Sequence, residues 1–392
     1  MLLPSGIASG AHRCKPEFGP WVTRVGETEF TVLWKTGERM LCYVSVCPAD
    51  EAFESCERPC FYETVAGRTV AGCYHSVRVT GLEPGKSYRY VIYGREVKED
   101  EDPYAIAYGP EMLVADTRLV GKKKKGVNYQ AATLSASAPL CRFSMVNDMH
   151  NNAKKYSSLF DGVKPSDMDF LCLCGDIVSY SQSVDTVTKY SFQPVREILG
   201  RTPVVFARGN HESRGRDFAS VPYLFPSTTG QFYYSFRQGP VAFLVLDCGE
   251  DKPDSAPEYS GYAHFDDYRA QELEWLKAAV KDPSFTGAPF RVVLMHVPAF
   301  YVDGRKEKTW HSQRWITENF LPVLNDAGVD LMLSGHLHKY VFSEPGASGN
   351  RFPIIVNSNT DRLDFRADAD AISIEIRNAK GEALHTHRIE KR

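Results

Sequence analysis

Between Cys141 and His338 the chain passes through six short apolar runs, and the endings of five of them narrow what it can fold into. The runs are RFSMVND, DFLCLCGD, PVVFARGN, AFLVLD, RVVLMH and DLMLSGH. Amphipathic stretches such as DDYRAQELEWLKAAV and HSQRWITENFLPVLNDAG lie between some of them, so the pattern predicts buried strands alternating with helices. Such a chain is an α/β domain with sheets covered on their outer faces. The first run ends in Asn147-Asp148-Met149-His150, the second in Gly175-Asp176, and the third in Gly209-Asn210-His211-Glu212. The fifth stops at His296 and the sixth at Gly335-His336-Leu337-His338. Strand C-termini in α/β sheets are where loops gather and ligands bind. Residues distant in sequence are thereby delivered to one edge.

Each ending alone is weak, because a carboxylate after a strand is as readily a helix cap. Together, Asp148, Asp176, Asn210, His150, His296, His336 and His338 converge without a matching set of Lys or Arg, which makes electrostatic sense only with cations. Mixed nitrogen and oxygen donors suit Mn, Fe or Zn, whereas magnesium or calcium favours oxygen alone. Seven groups exceed what one tetrahedral ion uses and fit two metals sharing a bridge.

The rest of the 392-residue chain divides around this region. Residues 15–110 read as all-β, with TEFTVLWKT, LCYVSVC, YHSVRVTGL and SYRYVIYG as short strands separated by turn residues. Within them Leu82-x-Pro84-x-x-x-Tyr88 resembles the tyrosine corner of β-sandwich domains, and the segment resembles a fibronectin type III-like module. Residues 111–140 read as a linker, with Lys122 to Lys125 a solvated stretch inside it. Residues 141–392 form the α/β domain, closing in a hairpin around Asn378-Ala-Lys-Gly381 that places His385 and His387 at surface strand positions.

A net charge of -3 gives no polyanion-binding signature, so no nucleic-acid partner is implied. No apolar run approaches the ~20 residues of a membrane helix, and no signal peptide is visible at the start. Of ten cysteines, Cys14, Cys42, Cys47, Cys56, Cys60 and Cys73 allow a disulfide reading suited to an exported protein. Cys141, Cys172, Cys174 and Cys248 read as small core hydrophobes. The compartment stays open: periplasmic or secreted if a leader has been removed, cytoplasmic otherwise. The oligomeric state is not legible.

The order Asp-x-His, Gly-Asp, Gly-Asn-His-Glu, His, Gly-His-x-His across residues 141–340 resembles the calcineurin-like metallophosphoesterase superfamily. With a fibronectin-like module in front, the chain looks most like the purple acid phosphatase branch. The resemblance implies a β-sandwich domain flanked by helices that hydrolyses phosphate esters of small molecules. It assigns Asp148, His150, Asp176 and His338 to one metal, and the bridging Asp176 with Asn210, His296 and His336 to the other. His211 is implied as a general acid beside the leaving group, acting on an ester attacked by a metal-activated hydroxide. A phosphomonoesterase is expected; a phosphodiesterase or nucleotidase on the same metals is the alternative, and a non-catalytic binding protein is the rival of another class. The chain departs from the purple enzymes in two places. His150 stands where they carry Gly, and Ser179 stands three beyond Asp176, where they carry the iron-binding Tyr, with Tyr180 one place late. A colourless enzyme follows. His311, Asn151 and Arg208 are candidate phosphate contacts, with a helix-start role the alternative for His311. Tyr301, Trp310 and Tyr180 can stack a ring, although aromatic core packing is the default.

Overall fold

The computed structural model describes residues 14–52, 56–99, 102, 104–116 and 129–391. Lys122 to Lys125 and the first thirteen residues lie outside them. The chain divides into two compact units, residues 1–133 with 196–203 and residues 134–195 with 204–392.

The first unit is built on one long strand, Phe30–Pro48, paired antiparallel with Phe18–Thr23, Ala71–Val79 and Ser87–Glu99. Among the described residues before 134 there is no helix. Alternation sets the core, burying Phe30, Val32 and Trp34 of the long strand and Val77 and Val79 of its neighbour. The Tyr88 hydroxyl accepts the Glu83 N–H at 2.9 Å, as the tyrosine-corner spacing predicts. The stretch assigned to a linker contributes two strands, Met112–Asp116 and Gln130–Ala132, both paired with Ser87–Glu99. Met112 to Ala115 is an apolar run that the linker reading passed over, whereas Gln130–Ala132 has too few apolar residues to announce a strand. Cys47 and Cys56 form a disulfide, while Cys14, Cys42, Cys60 and Cys73 are free.

The second unit holds two mixed sheets. In one, Cys141–Val146, Phe170–Leu173 and Val204–Phe206 run parallel, and Arg362–Ala367, Ala371–Arg377 and Ala383–Glu390 continue from Cys141–Val146 as an antiparallel meander. In the other, Val241–Leu246, Phe290–Met295, Leu331–Ser334 and Ile354–Val356 are parallel, with Tyr234–Gln238 and Val341–Ser343 antiparallel at the edges. Period-2 alternation divides each strand between two cores. Phe143, Phe170, Phe243, Val292, Leu333 and Phe365 meet in the layer shared by the sheets. Leu244, Leu246, Met295 and Met332 face outward instead, against Leu276 of the Phe265–Ala279 helix and Ile316, Phe320 and Leu324 of the His311–Asp326 helix. The unit is thus the α/β fold the apolar runs predict. Cys141, Cys172, Cys174 and Cys248 are all fully buried, as small core residues. No helix among the described residues is long and apolar enough to cross a membrane.

Candidate metal centre

Five parallel strands end at the same edge of the second unit, and the loops leaving them are tied to one another by backbone hydrogen bonds. Asp148 N–H donates to Gly175 O, His150 N–H to Asp176 O, and Gly335 N–H to His296 O, at 3.0, 3.0 and 2.9 Å. Close approach requires glycine at two points. A Cβ on Gly175 would stand 2.6 Å from the Gly209 backbone, and one on Gly335 would stand 2.7 Å from Asn147 Cβ and 2.8 Å from Asp148 Oδ2. Ten non-glycine residues among those described have positive φ, and six are Asp148, His150, Asn151, Asp176, His336 and His338. Such conformations cost energy and persist only where surrounding contacts impose them, a pattern that clusters at functional sites.

The two carboxylates divide their oxygens in the same way. Asp148 Oδ2 accepts the His336 N–H at 2.8 Å and the Asn147 side-chain amide at 2.7 Å, while Oδ1 is buried with no hydrogen-bond partner. Asp176 Oδ1 accepts the His211 N–H at 2.9 Å, leaving Oδ2 to face the imidazoles. Around these free oxygens the ligand atoms form adjoining groups: Asp148, His150 and His338; Asp176, His296 and His336; and His150, Asp176 and His211. Asp148 Oδ1 lies 3.1 Å from His338 Nε2, 3.7 Å from His150 Nε2 and 3.8 Å from His296 Nε2. Asp176 Oδ2 is 3.1 Å from His296 Nε2 and 4.0 Å from His150 Nε2, so it touches both sides.

The fit to cations shows in the atoms that find no protein partner. Asp148 Oδ1, Asn210 Oδ1, His296 Nε2 and His336 Nε2 are buried and make no hydrogen bond, although His296 Nε2 and Asp176 Oδ2 are close. Leaving such groups unpaired costs on the order of 1–3 kcal/mol each. Three of the four are free because the other end of the side chain is anchored, as Oδ2 is in Asp148. His296 Nδ1 donates to Cys174 O at 2.7 Å, which turns the Nε2 lone pair inward, the usual second contact of a metal-binding imidazole. The Asn210 amide nitrogen faces Asp251 Oδ2 at 3.4 Å and frees its oxygen. Burial disfavours charge on His296, but Asp176 and Asp148 outweigh it and lift that imidazole well above its usual range. His336 is pressed down to about 3 by burial and then by the His296 charge, so it presents a neutral ring. At Asp148 burial works upward, yet the His296 charge and the neighbouring His150 and His338 imidazoles hold the carboxyl well below the carboxylate range.

His211 borders the same space. Its Nδ1 bonds Ser179 O at 2.9 Å, and Arg214 Nη1 stands 2.9 Å from its Nε2. Burial lowers its pKa, partly opposed by Asp176. A guanidinium can only donate, so the ring is neutral here with its proton on Nδ1. The protonated imidazole implied for a general acid is not the form these neighbours favour.

The three candidate phosphate contacts fall elsewhere. Arg208 is buried and paired with Asp247, Nε to Oδ1 at 3.2 Å and Nη2 to Oδ2 at 2.7 Å, with its guanidinium over the Phe232 ring. Its charge is spent inside the fold instead of on a ligand. His311 opens its helix and bonds Asp266 at 2.9 Å, the helix-start alternative. Asn151 Oδ1 accepts the Ser179 N–H at 3.2 Å and so braces the loop behind Asp176. The aromatic default is also corrected in part: Trp310 is 44% exposed and Tyr180 49%.

Several residues the sequence reading passed over support the site. Glu212 is buried and accepts four backbone N–H groups, Asp176 and Gly209 at Oε2 and Ile177 and Val178 at Oε1. Burial, then the Asp176 charge, raises its carboxyl to about 7. Its place in the Gly-Asn-His-Glu turn after a buried strand was the available signal. Across 210 residues the Asn357 side-chain amide donates to Asn147 Oδ1 at 2.8 Å and the Asn147 side-chain amide donates to the Asn357 backbone carbonyl at 3.0 Å, which no local pattern reveals. Glu250 clamps Arg214 through Nε at 2.7 Å and Nη2 at 2.6 Å.

Residues 141–340 match the family model described as calcineurin-like phosphoesterase. Among curated proteins, "Purple acid phosphatase 22" of Arabidopsis thaliana is 25% identical over 309 residues, covering 73% of this chain and 63% of its own length. "Serine/threonine-protein phosphatase CPPED1" of Homo sapiens is 24% identical over 176 residues, 43% of this chain and 53% of its own. The purple acid phosphatase PPD1 from yellow lupin (Lupinus luteus) seeds superposes with a TM-score of 0.62 at 14% identity, covering 95% of this chain and 74% of that one. The chain spans 63% and 58% of the first two curated relatives.

Proposed function

The chain belongs to the calcineurin-like phosphoesterase family, and from that membership we propose that it is a metal-dependent phosphomonoesterase acting on small phosphate esters. The observation that carries the reading is the set of buried potential ligand atoms that make no hydrogen bond: Asp148 Oδ1, Asn210 Oδ1, His296 Nε2 and His336 Nε2. Two transition-metal ions, from among Mn, Fe and Zn, suit this donor set. Asp148, His150, Asp176 and His338 would hold one, and Asp176, Asn210, His296 and His336 the other. Opposite contacts of Asp176 Oδ2 with His296 and His150 support its part as the bridge. This pairing gives His336 and His338, two positions apart, different ions to hold. Bound there, such ions supply Lewis acidity and a nucleophile from water near neutral pH.

The chain's own groups do the rest. Backbone N–H groups fix one oxygen of each carboxylate, so the ligand atoms need little rearrangement when a phosphate arrives. The Nδ1 bond to Ser179 O holds the His211 ring with Nε2 toward the cavity. We assign to Nε2 the proton that leaves with the alcohol, which requires Arg214 to turn away from that nitrogen as phosphate enters. His150 in place of Gly, with Ser179 giving its carbonyl to His211, supports a site without a tyrosinate, hence colourless when loaded with iron. The tyrosine-corner bond and the all-β first unit support a fibronectin type III-like module ahead of the catalytic unit.

The test compares p-nitrophenyl phosphate with its bis ester, using protein stripped by chelator and reloaded with Mn, Fe or Zn. The expected result is metal-dependent turnover with the monoester preferred. Preference for the diester would replace this reading with a phosphodiesterase, and no turnover of either would favour a binding protein.

A further inference from the structure

The cavity over the metal centre is far larger than a phosphoryl group requires. Its volume is about 770 Å³, within the range of pockets that enclose drug-sized molecules. Asp176, Asn210, His336 and His338 line its inner end, and it continues outward past Trp310 and Tyr301 to Val341 and Phe342. We propose that this outer arm is a subsite for an apolar, ring-bearing group carried by a phosphomonoester that has no second anionic group.

Three observations carry the proposal. Trp310 stands edge-on to His336 with ring centroids 4.5 Å apart, so a group esterified to phosphate at the centre has its first carbons beside the indole. The indole is 44% exposed although it belongs to a concave wall, leaving a large aromatic surface for a ligand to cover. Beyond the centre the charged lining is Asp303, paired with Arg305 at 3.2 Å, and Glu344 against Lys339, so a second phosphate or carboxylate finds no surplus of positive charge there. A polyphosphate or bisphosphate is left without a counter-charge, whereas a neutral ring needs none.

The inference rests on the phosphomonoesterase reading, and the experiment separates the two. The metal-loaded full chain is given 2-naphthylmethyl phosphate, ethyl phosphate and 1,4-butanediol bisphosphate, all with primary alkoxide leaving groups. The naphthyl ester is expected to exceed ethyl phosphate in kcat/KM by about tenfold, the weight of one good aromatic contact with its buried area. That ratio should fall toward one in Trp310→Ala, with the bisphosphate the poorest substrate. Asp303→Asn with Glu344→Gln should raise the bisphosphate selectively. Binding is read separately, as a change in tryptophan emission on adding 2-naphthylmethyl phosphonate that is lost in Trp310→Phe. Equal kcat/KM for naphthyl and ethyl esters, a ratio indifferent to Trp310, or preference for the bisphosphate would overturn the subsite. If no ester turns over, the phosphoesterase reading falls; phosphonate-induced emission change that needs Trp310 would still uphold the subsite, and its absence would end it.

Discussion

Replacing Glu212 by Gln keeps shape and volume but makes one of the two terminal atoms a donor. Each oxygen accepts two backbone N–H groups, Asp176 and Gly209 on one, Ile177 and Val178 on the other, at 2.8–3.3 Å. Whichever way the amide is placed, two buried N–H groups face an NH₂. Orphaned buried donors cost about 1–3 kcal/mol each, so the direct loss is about 4 kcal/mol. Relief of the repulsion between Glu212 and Asp176 offsets part of it, leaving about 3 kcal/mol. For a unit of this size that lowers Tm by about 6–12 °C. The loops carrying Asp176 and Asn210 lose their common tether, so affinity for added Mn or Zn should fall about 10–100-fold. Melting of chelator-treated protein at pH 8, above the raised value of about 7, reads the first effect, and metal titration reads the second. A Glu212→Gln protein that melts within ~2 °C of wild type and binds metal normally would refute the tether argument.

Asp176→Asn should empty both ion positions, since the bridging oxygen is lost; X-ray fluorescence of the purified variant measures this, and full occupancy of either position would count against the bridge. His211→Ala should retain metal and lose roughly 10²–10⁴ in kcat; if the metal departs as well, its assignment to proton transfer is wrong. His75 lies buried in the first unit, stacked on Trp34 and 3.1 Å from the Thr36 hydroxyl, and burial lowers it from 6.5 to about 4. A group depressed in the folded state stabilises fully above its unfolded value and loses that contribution as pH falls. Between pH 7 and pH 4 the first unit should therefore lose about 3 kcal/mol, a slope that calorimetry should find flattened in His75→Gln.

The strands and the inner site were legible because their signals are local. An apolar run of four to six residues followed by Asp, Asn or His states both the strand and what it delivers, as at Leu173 to Asp176 and Leu331 to His336. Misplaced residues depended on partners far along the chain. Arg208 beside the Gly-Asn-His turn looks like a phosphate contact until Asp247, 39 residues on, takes its charge. His311 is likewise committed to Asp266 across 45 residues. The strand at 130–132 carries too little pattern to separate from a connector, and a neighbouring strand's open edge decides it, whereas Met112 to Ala115 is an apolar run ending at Asp116 that the linker reading passed over. Trp310 shows the reverse error: hydrophobic character argued for the interior, whereas the concave surface left it partly in solvent.

The split between tethered and presented carboxylate oxygens bears on how this protein is made. A scaffold that sets its donor atoms through main-chain amides can mature before any ion is available, then accept one without refolding. Ion identity would then follow supply in the surroundings and exchange after synthesis, so preparations of one polypeptide from different growth media should differ in their metal content while melting alike once stripped.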